Sequence, residues 1–146
     1  MTLIREESAG YMTNWAARLF FRELEKQLAP LGINPAYMPV LFALSDGSAV
    51  TQKELADRAT VEQPTMTATL GRMERDGFIR REPNPEDGRS VLVRLSETGF
   101  EGVPQVQRVV STINQMALQT LSEAERRSFF SVMGKIIASL EMQASS

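Results

Sequence analysis

Apolar residues recur every three or four positions over most of the chain, a period that predicts a mainly helical protein. The first such stretch covers residues 9–29 and predicts one long helix. Its apolar arc is wider than one core-facing side requires, which indicates burial on more than one side or contact with another subunit. The apolar positions of this stretch are Met12, Trp15, Leu19, Phe20, Phe21, Leu24 and Leu28.

Two shorter helices are predicted beyond a turn rich in proline and glycine at 30–35. The shorter one is predicted over residues 52–58. Thr51 and Glu54 fit a capping box at its start, in which each side chain satisfies a backbone amide of the other residue. The longer one covers about 36–45, and its expected core residues are Met38, Leu41, Phe42 and Leu44.

A fourth helix is predicted over 63–75. Pro64 lies in its first turn, where the missing N–H costs little. Met66, Leu70 and Met73 follow one another at spacings of four and three residues and therefore share one face. An Asp-Gly pair after residue 75 ends the helix, so we expect one buried side and one free side.

The period then changes to two, which predicts strands at 78–82 and 91–95. The residues between them, 83–90, are turn formers and predict a long, polar hairpin tip. Two long helices follow, over about 97–119 and 123–142. A capping box at Ser122–Glu125 opens the last one, whose apolar stripe is Phe129, Phe130, Met133, Ile136, Ile137 and Leu140.

This order of elements predicts a fold class that is mainly α with a small β-hairpin wing. Residues 36–95 have the order of a winged helix-turn-helix, in which the second helix of a compact pair lies in the DNA major groove and a β-hairpin follows. The helices at 9–29 and 97–142 lie outside that lobe. We expect all of 1–146 to form a single domain.

The free side of the helix at 63–75 carries the candidate DNA contacts. It is small, polar and cationic, and small residues let a helix backbone approach a groove floor. Glutamine and threonine can bond base edges, while arginine reaches guanine or phosphate. The alternative is an ordinary solvated helix face. The candidate residues on this side are Pro64, Thr67, Ala68, Arg72 and Arg75, and Gln63 and Thr65 join them from the first turn.

The hairpin tip supplies a second group of candidates. Arg89 is expected to project from the turn, and an arginine suits a narrow, electronegative minor groove. Asp87 could hold Arg89, Arg72 or Arg75 in orientation by an ion pair. The alternative is a surface turn with an incidental ion pair that contributes little.

Composition changes the picture by what it lacks. The chain has no His and no Cys. Disulfides, zinc sites built from Cys or His, thiol sensing and Ser-His-Asp triads are therefore impossible. No cofactor, metal site or catalytic group is predicted, and paired carboxylates such as Glu86-Asp87 lie at a hairpin tip rather than in a cleft. No apolar run is long enough to span a membrane, so we expect a cytoplasmic protein.

Net charge, by contrast, is unfavourable at first sight for a DNA partner. Sixteen Lys and Arg stand against eighteen Asp and Glu, giving −2. Between residues 63 and 95 the count is six Arg against five acids, a local +1. Because that balance is barely positive, the prediction of DNA binding depends on where the arginines lie. The alternative function is a winged-helix adaptor that binds another protein and no DNA.

Three segments, 71–81, 84–90 and 93–99, together resemble the MarR family of bacterial transcriptional regulators, and the helix pattern extends the resemblance over nearly the whole chain. The family pattern joins a Gly-Leu-Ile-x-Arg block, an Asp-x-Arg wing and a Leu-Thr-x-x-Gly segment that begins a long helix. Two residues depart from it. Glu62 occupies the usual Ser or Asp cap of the recognition helix, and Gly88 replaces a frequent wing arginine.

The resemblance implies a homodimer, formed by the N-terminal helix and the last two helices, on a pseudo-palindromic operator of double-stranded DNA. It also implies repression of nearby genes that is relieved by a small, often phenolic effector. The candidate effector pocket consists of Trp15, Arg18, Met38 and Phe42, with Tyr11 and Tyr37 nearby. The alternative is that these aromatic residues simply form core.

Overall fold

The computed structural model describes residues 1–145, which form six α-helices and three short strands. Two compact units are distinguished within it, the first ending at Val110 and the second beginning at Ser111. The expectation of one domain over 1–146 stays a prediction. The helices are α1 (Ala9–Leu28), α2 (Met38–Leu44), α3 (Gln52–Ala59), α4 (Gln63–Arg75), α5 (Glu97–Ala117) and α6 (Glu123–Ala144). The strands are β1 (Val50–Thr51), β2 (Ile79–Asn84) and β3 (Asp87–Leu95).

The mainly helical prediction is confirmed, and α4 begins and ends where the sequence placed it. Its apolar stripe Met66, Leu70 and Met73 is 1% exposed or less. The capping box at Ser122 and Glu125 is also formed, with both reciprocal hydrogen bonds present. Local signals, a proline in the first turn and a side-chain cap, therefore located these helix ends correctly.

The second helix is shorter than predicted, and one residue predicted to lie in its core is exposed. A 3₁₀ turn at Pro35–Tyr37 precedes α2. Phe42 is 61% exposed, whereas Tyr37 and Val40 are buried. Positions 37, 40, 41 and 44 follow the helical period, and Phe42 points away from that stripe. Phe42 is thus a surface residue of α2.

The wing is longer and tighter than predicted. Strands β2 and β3 take in most of the expected loop, so that only residues 85 and 86 connect them. Pro83 is tolerated because β2 is an edge strand in the order β1-β3-β2. The side chain of Asn84 closes the turn by accepting from the Glu86 N–H (3.0 Å) and donating to the Ser90 hydroxyl (2.8 Å). Strand β1, which pairs with β3, was not predicted.

A glycine at the start of α5 fixes how the wing leads into that helix. A Cβ added at Gly99 would lie 2.2 Å from the carbonyl oxygen of Phe78, so no larger residue fits. The Ser96 hydroxyl donates to the Gly77 carbonyl and accepts from the Gly99 N–H (3.1 Å). These contacts bring the end of α4 and the start of α5 together.

Within residues 1–145, every helix is too short or too polar to cross a membrane.

Candidate nucleic-acid interface

The two faces of α4 differ completely in environment. The residues predicted from the sequence for this helix are all exposed. Most of them lie on the face opposite its buried stripe, and Gln63 lies in the first turn beside that stripe. These exposed residues are Gln63, Pro64, Thr65, Thr67, Ala68, Arg72 and Arg75. The helix is 13 residues long, which allows about three and a half turns to lie along a groove.

The N-terminus of α4 lacks the usual side-chain cap. Glu62 is the N-cap residue, in an extended conformation, and its side chain makes no capping hydrogen bond. This agrees with the departure noted in the sequence. The amides of the first turn are therefore not occupied by a cap, and amides at a helix N-terminus favour anions such as phosphate.

The two arginines of α4 have no acidic partner within residues 1–145. Among residues 1–145, the guanidinium groups of Arg72 and Arg75 take part in no ion pair. Glu74, the acid on the flank of α4, instead contacts Arg81 of β2, with 3.4 Å between Arg81 Nε and Glu74 Oε1. This exposed pair contributes little stability, but it keeps the carboxylate with a wing cation.

Within the part of the chain that the structure describes, Asp87 does not form the ion pair expected of it. Its Oδ1 accepts the backbone N–H of Arg89 at 3.0 Å and so orders the start of β3. The Asp87 carboxylate bonds the nearby backbone amide in preference to an arginine side chain, because the arginine would lose rotamer freedom on pairing. Arg89 lies in a strand rather than a flexible loop, and its guanidinium is exposed and unpaired within the described chain.

One contact between the two helices of the helix-turn-helix was not predicted from the sequence. Gln52, the first residue of α3, donates from Nε2 to Thr67 Oγ1 at 2.7 Å and lies 3.4 Å from Gln63 Oε1. The only local signal was the cap at Thr51, whose hydroxyl oxygen accepts the Glu54 N–H. That cap fixes where α3 begins and hence places Gln52 beside α4.

Tyr37, which was expected near the effector pocket, is buried in the core of the lobe. Its hydroxyl donates to Asp76 Oδ2 just beyond the end of α4, and its ring packs edge-on against Phe78, with 5.6 Å between ring centroids. Burial, followed by the hydrogen bond to Asp76, raises the pKa of Tyr37 to about 12. This residue therefore anchors the C-terminal end of α4.

Of the four candidate effector residues, Met38 and Phe42 share a groove. A groove of about 330 Å³ between α2 and α5 includes Phe42. A second groove of about 450 Å³, beside α3, includes Met38 and Phe42. Trp15 and Arg18 line neither of these grooves; the Trp15 ring is instead covered by the guanidinium of Arg5, 4.5 Å from its centroid. The residues lining the first groove are Leu41, Phe42, Ser45, Val103, Val106, Gln107 and Val110.

The chain is similar in sequence to one protein family and to several transcriptional regulators. The sequence profile described as "MarR family" matches residues 31–90. YdcH of Bacillus subtilis, named as an uncharacterised HTH-type transcriptional regulator, is 30% identical over 112 residues, 74% of this chain and 76% of that protein. The HTH-type transcriptional repressor IacR of Pseudomonas putida is 28% identical over 114 residues, 76% of this chain and 68% of that protein.

A solved structure extends the similarity to nearly the whole fold. It is a mutant of MarR from Escherichia coli complexed with operator DNA, with a TM-score of 0.84 at 27% identity. The match covers 93% of this chain and 99% of that chain.

Proposed function

The chain belongs to the MarR family of winged-helix, DNA-binding transcriptional regulators, which are not enzymes, and from this premise we propose that it is a homodimeric repressor of nearby genes. The protein would act in the cytoplasm. Its partner would be double-stranded DNA with a pseudo-palindromic operator. On this proposal α4 enters the major groove and the wing reaches the neighbouring minor groove. Its contacts come from the predicted residues Gln63, Pro64, Thr65, Thr67, Ala68, Arg72, Arg75, Asp87 and Arg89.

The single observation that carries this proposal is the exposed face of α4 with its two unpaired guanidiniums. A cation already bonded to an acid would have to lose that bond before it contacted DNA. Arg72 and Arg75 have no such bond within residues 1–145, and Arg89 has none on the wing. A protein adaptor would have no comparable need for three free arginines, so this placement favours DNA.

Exposed apolar side chains on the terminal helices support a second copy as partner. On α6 no residue is buried, and Phe130 and Leu140 are 59% and 65% exposed. On α1, Leu19 and Phe21 are about half exposed. Large apolar patches of this kind typically mark an interface. A two-fold dimer would present two recognition helices about one DNA turn apart, roughly 34 Å.

We place the effector in the groove between α2 and α5. Its lining is almost entirely apolar, and its volume of about 330 Å³ suits a small ligand. Ser45 and Gln107 are its polar groups. A small aromatic compound with one hydroxyl fits this chemistry better than a carboxylate, because no cation lines the groove.

The proposal is tested by fluorescence anisotropy with a labelled duplex from the upstream region of the gene and a scrambled duplex of equal length. Wild-type protein should prefer the upstream duplex, with an affinity that falls steeply as salt rises. Arg89→Ala and Arg72→Ala should each weaken binding by about 1–3 kcal/mol. Arg127→Ala on α6 is the matched control for loss of one charge.

Equal binding of both duplexes by wild-type protein would contradict sequence-specific regulation. Binding that does not respond to salt would favour the protein-adaptor alternative, because phosphate contacts always release counterions. If Arg89→Ala and Arg127→Ala bind the upstream duplex equally well, the wing makes no DNA contact.

A further inference from the structure

We propose that Gln52, which lies outside the recognition helix, determines base specificity together with Gln63, and that the pair reads the major-groove edge of an adenine. This inference rests on the proposed DNA-binding function. It depends on a hydrogen-bond network that joins the start of α3 to the first turns of α4.

The network has three bonds among three side chains and one backbone group. Gln52 Nε2 donates to Thr67 Oγ1 at 2.7 Å and to Gln63 Oε1 at 3.4 Å. The Thr67 hydroxyl donates in turn to the backbone carbonyl of Gln63 at 3.0 Å. Gln52 is half-buried, whereas Gln63 and Thr67 are exposed. The exposed side of this network is therefore the side that faces a docked duplex.

The hydrogen-bonding capacity of these groups fixes what remains available. An amide nitrogen has two hydrogens, and both hydrogens of Gln52 Nε2 are used within the protein. The single hydrogen of the Thr67 hydroxyl is also used. Gln52 Oε1 is left as an acceptor and Gln63 Nε2 as a donor. The network thus leaves one acceptor, on Gln52, and one donor, on Gln63, free for a base.

The same bonds oppose the reversed arrangement. If the Gln52 amide turned over, its oxygen would face two acceptors, Gln63 Oε1 and a Thr67 oxygen whose hydrogen is already donated. Such acceptor–acceptor contacts are unfavourable, so Thr67 holds the amide in one orientation. Thr67 is accordingly a positioning residue for Gln52.

Adenine is the base whose major-groove edge matches this pair. It presents N7 as an acceptor and the N6 amino group as a donor, which would pair with Gln63 Nε2 and Gln52 Oε1 respectively. Guanine presents two acceptors, N7 and O6, so its O6 would oppose Gln52 Oε1. The geometry therefore predicts selection of adenine and rejection of guanine at one position in each half-site.

The test is selection of binding sites from a randomised duplex library by wild-type protein, Gln52→Ala and Thr67→Val. Gln115→Ala, at an exposed glutamine of α5, is the matched control. Wild type and Gln115→Ala should select adenine at one symmetric pair of positions. Gln52→Ala should lose that preference by on the order of 10-fold while keeping the preferences at other positions, and Thr67→Val should lose the same preference.

A quantitative arm replaces the selected adenine by purine, which lacks the N6 amino group, or by 7-deazaadenine, which lacks N7. Each replacement should weaken binding by the wild-type protein. Gln52→Ala should bind the purine duplex as tightly as the adenine duplex. The inference is overturned if Gln52→Ala selects the wild-type sequence, or if the position it alters is a guanine in the wild-type site. A wild-type protein that selects no sequence would instead overturn the proposed function itself.

Discussion

The lobe that carries α4 and the terminal helix α6 bury their apolar residues to opposite extents. In the lobe Met66, Leu70 and Met73 are completely enclosed by the same chain, whereas α6 has no buried residue and its phenylalanines face outward. The first region closes its own core, and the second leaves its apolar side chains exposed. On the proposed function, this difference separates two tasks: the lobe presents the DNA-binding face and the terminal helices join two chains.

The largest expected effect comes from removing one leucine in each region. Leu70→Ala creates a cavity in the closed core and should cost about 2–5 kcal/mol in urea denaturation at every protein concentration. Leu140→Ala removes a side chain that is 65% exposed in the single chain. Its cost should appear only where the dimer is populated and should vanish on dilution, because dimer stability depends on concentration.

The contrast between the two regions would be contradicted if Leu140→Ala lowered the free energy of unfolding equally at low and high protein concentration. That result would place Leu140 in a core closed within one chain.

A smaller effect is expected at the point where the lobe leads into α5. Gly99→Ala would bring a Cβ against the Phe78 carbonyl and should destabilise the protein by about 1–3 kcal/mol. Gly102→Ala is the matched control. The nearest group there, Ile33 Cδ1, would lie 3.6 Å away. Since alanine is the better helix former, Gly102→Ala should be neutral or stabilising by up to about 1 kcal/mol.

Thermal or urea denaturation of the two glycine variants decides the matter. Equal effects of the same sign would show that the close approach of α5 to Phe78 is not a constraint on the fold.

The smallest expected effect concerns the anchor of the recognition helix. Tyr37→Phe deletes the hydrogen bond to Asp76 and should cost about 1 kcal/mol at neutral pH. The folded pKa of Tyr37, about 12, lies above its ordinary value of 10.0. The stabilisation is therefore complete below pH 10 and is lost as pH rises from 10 to 12.

The measurement is the free energy of unfolding between pH 8 and pH 12. Wild type should lose stability over the alkaline half of that range, and Tyr37→Phe should lose less. Tyr11→Phe, at a tyrosine that is about half exposed, should follow wild type throughout. An alkaline loss of the same size in Tyr37→Phe would remove Tyr37 as its source.

Much of the helical architecture was predictable because its signals are local. Pro64, the apolar stripe and the following Asp-Gly pair together define α4 from its own residues. The wing was not predictable in the same way. Pro83 and Asp87 are turn formers by themselves, and only pairing with a neighbouring strand makes β2 and β3 extend through them.

The candidate site was predictable where it follows helical periodicity and unpredictable where it depends on contacts between elements. The exposed face of α4 follows from the position of its buried stripe. The contact from Gln52 to Thr67 joins residues fifteen apart on two helices, and the crossing of those helices decides it. The surface position of Phe42 depended on which residues of a short helix face the sheet.

The central claim is that a closed lobe reads DNA while the open terminal helices join two chains. The most direct test is the mass of the protein–DNA complex, measured by sedimentation or mass photometry on the selected operator and on a duplex carrying one half-site. We predict two chains on each operator duplex, with much weaker binding to the single half-site. One chain bound to either duplex with equal affinity would contradict the account.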